Sequence, residues 1–197
     1  MRETRLRLAV IIGSIREGRF GATVAHWFVG QAQSRQDLEI QVIDLAETPL
    51  PISQQSRPVP EGVYDSPQVR RLAAQIGSMD ALVIVTPEYN HGYPGPLKLA
   101  IDSINPEWHA KPIGFVSYGG ISGGLRAIEQ LRLVFAELHA VTVRNTVSFH
   151  SAHAQFDADG NPKDPHAVNA AATAMLDQLT WWAHVLRDAR AAHPYPA

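Results

Sequence analysis

The chain has 197 residues, 45% of them hydrophobic and 18% charged, a globular composition of roughly one domain's length that excludes a disordered polymer. Lys and Arg number 17 against 19 Asp and Glu, a net charge of −2, which argues against a broad nucleic-acid-binding face. Cysteine is absent, so disulfides, Cys-ligated zinc, iron–sulfur clusters and a catalytic thiol are excluded.

The N-terminal stretch from Met1 to Leu8 alternates charge and apolarity, and the apolar run 8–12 is too short for a signal h-region or a membrane span. A cytoplasmic address is expected. Leu6–Ile12 reads as a buried strand stopped by Gly13. From about Phe20 to Gln33 a helix is expected, with Ala25, Phe28 and Ala32 on one face. Leu38–Asp44 is a second strand. Residues 47–67 contain five prolines and read as a long surface excursion. Val69, Leu72, Ala73 and Ile76 mark a short helix.

Residues 80–86, D-A-L-V-I-V-T, form the clearest buried strand. A turn-rich loop at 87–96 leads to a helix defined by Leu97, Ile101 and Ile104, with Pro94 at its opening. Pro112–Tyr118 is a fourth strand ending in a glycine cluster. Leu125, Ile128, Leu131, Phe135 and Leu138 recur at helical steps. Residues 140–147 are a fifth strand. A polar stretch then precedes a last helix carrying Val168, Ala172, Met175, Leu179, Trp182 and Leu186 on one stripe.

Strict β-α alternation without repeats predicts an α/β sandwich, a parallel sheet with helices on both faces. Five strands fit the flavodoxin-like order 2-1-3-4-5, over residues 1–197 as a single unit. The ligand crevice of that order lies at the C-terminal ends of strands 1 and 3.

Three loops fall on that edge. The first runs Gly13-Ser14-Ile15-Arg16-Glu17-Gly18-Arg19-Phe20-Gly21. A helix N-terminus there offers unpaired N–H groups to an anion, Ser14 a hydroxyl, and Arg16 and Arg19 forked charged donors. The spacing Gly13-x4-Gly18 matches the opening of a P-loop, but Arg19 and Phe20 stand where Lys and Ser/Thr belong, and G-x-G-x-x-G is missing. The same loop also reads as an ordinary turn with solvated arginines. The second loop, Thr86-Pro87-Glu88-Tyr89-Asn90-His91-Gly92-Tyr93-Pro94-Gly95, places Tyr89 and Tyr93 to border a flat ring; it also reads as a rigid Pro/Gly turn with a solvated His91.

The third loop, Ser117-Tyr118-Gly119-Gly120-Ile121-Ser122-Gly123-Gly124, has four glycines, suited to close approach of backbone to a ligand. It also matches the G-x-S-x-G nucleophile elbow around Ser122, with Asp157, Asp159, His150, His153 and His166 downstream as paper partners. His150-x2-His153 has metal-ligand spacing but no third ligand nearby, and reads as structural or solvated. Trp181 and Trp182 read as packing or subunit contacts.

Taken together, G-S-x-R-x-G at 13–18, T-P-E-Y-N at 86–90, P-G-x-L-K at 94–98, Ile101-Asp102, Lys111-Pro112 and the glycine-rich turn resemble the NADPH-dependent FMN reductase family, which includes quinone, azo-dye and chromate reductases. The resemblance covers residues 8–147. Many family members have Ser where this chain has Arg19, and Asn or Thr where it has Gly21; Arg19 replaces a hydroxyl with a charged donor.

The resemblance implies tight, non-covalent FMN, with its phosphate among Ser14, Arg16, Arg19, Phe20 and Gly21. The isoalloxazine would lie against Pro87, Glu88, Tyr89 and Asn90 on one side and Ser117, Gly119 and Gly120 on the other. A nicotinamide of NADPH or NADH would pass a hydride to the flavin, leave, and be replaced by a quinone or similar small-molecule acceptor. Such ping-pong chemistry is carried by the cofactor, so no side chain is named as catalytic acid or base, with Tyr89, His91 or Tyr93 the nearest proton donors. A homodimer or homotetramer is implied, with no nucleic-acid, membrane or metal partner. The alternatives are a serine esterase using Ser122 and a flavodoxin-like electron-transfer module.

Overall fold

The computed structural model describes residues 5–196; part of the alternating stretch that begins at Met1 lies outside them. Strands β1 (Leu6–Ile12), β2 (Leu38–Asp44), β3 (Ala81–Pro87), β4 (Pro112–Tyr118) and β5 (Val141–Phe149) form one sheet in the order β2-β1-β3-β4-β5. All four pairings are parallel, so the sheet has the expected flavodoxin-like order.

The strands read as near-continuous apolar runs because both faces of the sheet are covered. Successive side chains alternate between two cores. Leu8, Val10, Ile12, Val83, Val85 and Val116 enter one, roofed by α1 (Gly21–Gln33) through Val24 and Phe28 and by α6 (Pro165–Ala192) through Ala172, Met175 and Leu179. Ala9, Ile11, Leu82, Ile84, Ile113 and Phe115 enter the other. That core is closed by α2 (Pro67–Gly77), α3 (Gly95–Asp102) and α4 (Leu125–Glu137) through Leu72, Ile76, Leu97, Ile101, Leu131 and Phe135.

Several expected boundaries move. β3 runs one residue later than residues 80–86, and Asp80 instead accepts from the Arg7 amide at 2.8 Å. Pro94 caps α3 rather than opening it, and Pro96 takes the second helical position, where its missing N–H costs no hydrogen bond. Ile104 lies beyond α3 yet stays buried. β5 continues to Phe149, two residues past the expected end, because its pairing with Tyr118 holds it on the sheet. One short helix, α5 (Ala152–Gln155), occupies a stretch expected to be irregular.

Two motif lysines have structural partners. Lys111 is buried, and its Nζ donates to the carbonyls of Ile76 and Gly77 at the end of α2. Lys98 pairs with Asp102 one turn along α3. Among the described residues, no helix is long and apolar enough to cross a membrane.

Candidate cofactor-binding site

At the C-terminal edge of the sheet, a cavity of about 480 Å³ opens between the segments that follow β1, β3, β4 and β5. It is lined by Arg16, Glu17, Gly18, Arg19 and Phe20 after β1, by Pro87, Glu88 and Tyr89 after β3, by Gly119 and Gly120 after β4, and by Ser151, Ala152, His153 and Ala154 after β5. A larger hollow of about 740 Å³ runs along β5 and is lined by Arg132, Thr142 and Arg144, but it contains none of the predicted residues.

The first loop is held to the second by one hydrogen bond. Ser14 is fully buried, and its Oγ is hydrogen-bonded to Tyr89 Oη at 2.6 Å. The Arg16 guanidinium lies over the Tyr89 ring, 5.4 Å from its centroid. Arg19 is not a free fork: its Nη2 is paired with Asp44, while its Nε is buried without a partner among the described residues. Phe20 precedes α1, which has no capping side chain and no acid in its first turn, so its first N–H groups and positive dipole end remain unopposed. The Phe20 ring forms an aromatic wall with His153 and Phe156, at centroid distances of 4.4 and 5.2 Å.

In the second loop, Tyr89 and Gly92 exchange backbone hydrogen bonds of 2.8 and 3.0 Å around Asn90 and His91. Both central residues have positive φ, 51° and 69°, the conformation that a two-residue type I′ turn requires. Asn90 is exposed at this tip and does not line the cavity. Gln130 donates to the His91 carbonyl at 3.0 Å and steadies the turn.

The second and third loops meet at Glu88. Its carboxylate accepts from Ser122 Oγ at 2.6 Å, from the Arg126 amide at 3.1 Å and from Arg126 Nη1 at 2.9 Å. Burial pushes this carboxyl up, but the bonds from Ser122 and Arg126 outweigh it and hold the group below the usual carboxylate range. Ser117 lies outside the cavity lining: it is buried, and its Oγ donates to the Gly123 carbonyl at 2.8 Å. Gly124, at φ 87°, leaves no space for a side chain, since a Cβ would stand 2.7 Å from that of Ser117.

Among the described residues, no hydrogen bond joins Ser122 to an imidazole; His150 Nδ1 donates instead to the Ile121 carbonyl at 2.8 Å. The elbow is therefore tied to a carboxylate, and the esterase reading is not favoured.

Besides Glu17 and Gly18 of the first loop, two contributors were not assigned from sequence. Residues 151–154 form a wall because the Ser151 and Ala152 amides donate to the Gly120 and Gly119 carbonyls at 2.8 and 3.0 Å. Their position after the fifth strand, on the same sheet edge, was the available signal. Tyr118 is the other: it lines the cavity, and its Oη is buried without a hydrogen-bond partner among the described residues.

The fold and this edge site define a flavodoxin-like α/β sandwich with a flavin-sized crevice at its topological switch point. Among solved structures, the flavoenzyme FerB, an NAD(P)H:acceptor oxidoreductase from Paracoccus denitrificans, superposes with a TM-score of 0.73 at 24% identity, covering 89% of this chain and 98% of that one. The model of the NADPH-dependent FMN reductase family matches residues 6–154, and the chain belongs to this family of oxidoreductases. An NAD(P)H-dependent FMN reductase of Schizosaccharomyces pombe is 36% identical over 120 residues, which cover 60% of this chain and 60% of that protein's length. A quinone reductase of Escherichia coli is 33% identical over 184 residues, covering 89% of this chain and 90% of that protein.

Proposed function

We propose that this protein is an FMN-dependent NAD(P)H oxidoreductase whose acceptor is a quinone or a similar small molecule. The observation that carries this reading is a cavity whose lining combines two chemically distinct sets of groups. The first joins the uncapped start of α1 to Arg16 and the unpartnered Nε of Arg19, a set of donors suited to a phosphate. The second, Pro87, Glu88 and Tyr89 with the glycines Gly119 and Gly120, is suited to a flat heterocycle.

FMN, when bound there, supplies the hydride chemistry. The protein's part is to bind and to orient. Arg16, Arg19 and the first turn of α1 would hold the phosphate, with Ser14 and Gly21 buried directly behind them. Phe20 and His153 exclude water from one side of the crevice. The Glu88–Ser122–Arg126 bonds fix the separation of the two loops that flank the ring. The names of the quinone reductase relative and the acceptor oxidoreductase neighbour support a small organic acceptor.

We also propose one FMN-binding unit per chain, a cytoplasmic address and assembly of copies into a homo-oligomer. Leu133 and Trp181, 75% and 59% exposed, support the last point as apolar surface available for contact. Titration of the purified protein with FMN, followed by NADPH and a quinone, tests the reading. Tight flavin binding with quinone-dependent NADPH oxidation is expected. Binding without turnover would favour an electron-transfer module, and absence of binding would overturn the proposal.

A further inference from the structure

We propose that the Tyr118 hydroxyl donates a hydrogen bond to the phosphate of FMN, from the space that a side chain at position 21 would otherwise fill. The inference rests on the FMN reading above and adds to it a residue whose side chain the motifs leave without a role.

Tyr118 ends β4 and is only 6% exposed, and its Oη is buried with no hydrogen-bond partner among the described residues. A phenol in that position is costly unless something accepts from it. Ser14 Oγ, bonded to Tyr89 Oη, faces the Tyr118 hydroxyl and favours its charged form, but does not complete a hydrogen bond with it. Burial, with the Tyr89 hydroxyl adding to it, raises the Tyr118 pKa well above the ordinary phenol value, so the group remains a donor.

Gly21 explains how the hydroxyl reaches this place. A Cβ on Gly21 would stand 2.4 Å from Tyr118 Oη and 3.2 Å from Cζ. Gly21 opens α1 without a positive φ, so its backbone conformation does not require glycine; the missing side chain makes room for the ring. Rotation of the ring about its long axis leaves Oη in place, which fixes the donor at the first turn of the helix.

The second orphan is close in kind and in place. Arg19 Nε is buried without a partner while Asp44 holds the other end of the guanidinium. Uncapped helix amides, an arginine N–H and a phenol O–H thus gather around the cavity with no matching acceptor among the described residues. Such a set calls for an anion rich in oxygen acceptors, which a phosphate monoester is and the ribityl chain of riboflavin is not.

The test compares apo wild-type protein with Tyr118→Phe, titrated separately with FMN and with riboflavin by flavin-fluorescence quenching. FMN should bind roughly 10- to 100-fold more weakly to Tyr118→Phe, the range for a hydrogen bond to a charged group, while riboflavin affinity stays the same. The apo variant should melt no lower than wild type, because it loses only an unpartnered buried hydroxyl. Gly21→Ala, which displaces the hydroxyl without removing it, should weaken FMN in the same direction. The double variant should then be no weaker than Tyr118→Phe alone. Unchanged FMN affinity, equal losses for FMN and riboflavin, or additive losses in the double variant would overturn the role of Tyr118. A wild-type protein with no preference for FMN over riboflavin would instead overturn the phosphate site itself.

Discussion

The Ser122 hydroxyl donates to Glu88 Oε2 at 2.6 Å, bonding the loop after β4 to the loop after β3. Arg126, from the first turn of α4, adds its guanidinium and its amide to the same carboxylate. Glu88 is 8% exposed at its side chain, whereas the Arg126 side chain is 49% exposed, so the carboxylate is sheltered and its cation is not. The clasp's effect on stability has a defined sign. A carboxyl held below its unfolded value of 4.5 stabilises the fold above that pH, and this contribution is lost as pH falls through the folded value. Thermal melts between pH 7 and pH 3 should therefore show a steeper acid loss for wild type than for Glu88→Gln. Parallel curves would contradict the clasp.

Ser122→Ala removes one bond of that clasp and the only nucleophile the esterase reading offers. NADPH–quinone activity should stay within about fivefold of wild type, since a single hydrogen bond contributes about 1 kcal/mol. Steady-state rates decide the point, and a loss of several orders of magnitude would restore Ser122 to a catalytic role.

Arg16→Ala and Arg19→Ala should each weaken FMN by about 1.5–3 kcal/mol, in line with charge-assisted bonds, with little change for riboflavin. Because Asp44 holds Arg19 in place, Asp44→Asn should reproduce part of the Arg19 loss. Fluorescence titrations of the three variants measure it.

Gly124→Ala should destabilise the protein by at least about 1–3 kcal/mol, the cost of a strained left-handed residue, with close contacts adding to it. At φ 87° a Cβ would approach the Tyr118 amide to 3.0 Å and the Ser117 side chain to 2.7 Å. For a chain of this size, each kcal/mol corresponds to about 2–4 °C in Tm, so calorimetry resolves the effect. An unchanged Tm would show that the glycine turn yields more easily than its contacts imply.

The strands were legible because their apolar runs serve two cores at once. Val83 and Ile84 point to opposite faces, and neither face admits a polar break. The loops bearing the site were legible for the same reason, since strand alternation alone determines which ends share an edge. Pairings between distant residues were not. The Arg19–Asp44 contact depends on β1 and β2 running in register, with Ile12 opposite Asp44. The Tyr118–Gly21 fit depends on the whole β1-β3-β4 sequence of pairings. The wall at His153 was obscured by its composition: a polar stretch containing histidines and prolines carries no periodicity, and its place is set by bonds to the Gly119 and Gly120 carbonyls.

On the proposed reading, this edge cavity holds FMN by its phosphate and passes reducing equivalents from a nicotinamide to a small acceptor. The visible spectrum of the FMN-loaded protein during anaerobic titration, first with NADPH or NADH and then with a quinone, decides it. A bound flavin spectrum should bleach on addition of the nicotinamide and return on addition of the quinone. A protein that takes up no FMN at saturating concentration, or whose bound flavin neither nicotinamide can bleach, would contradict it.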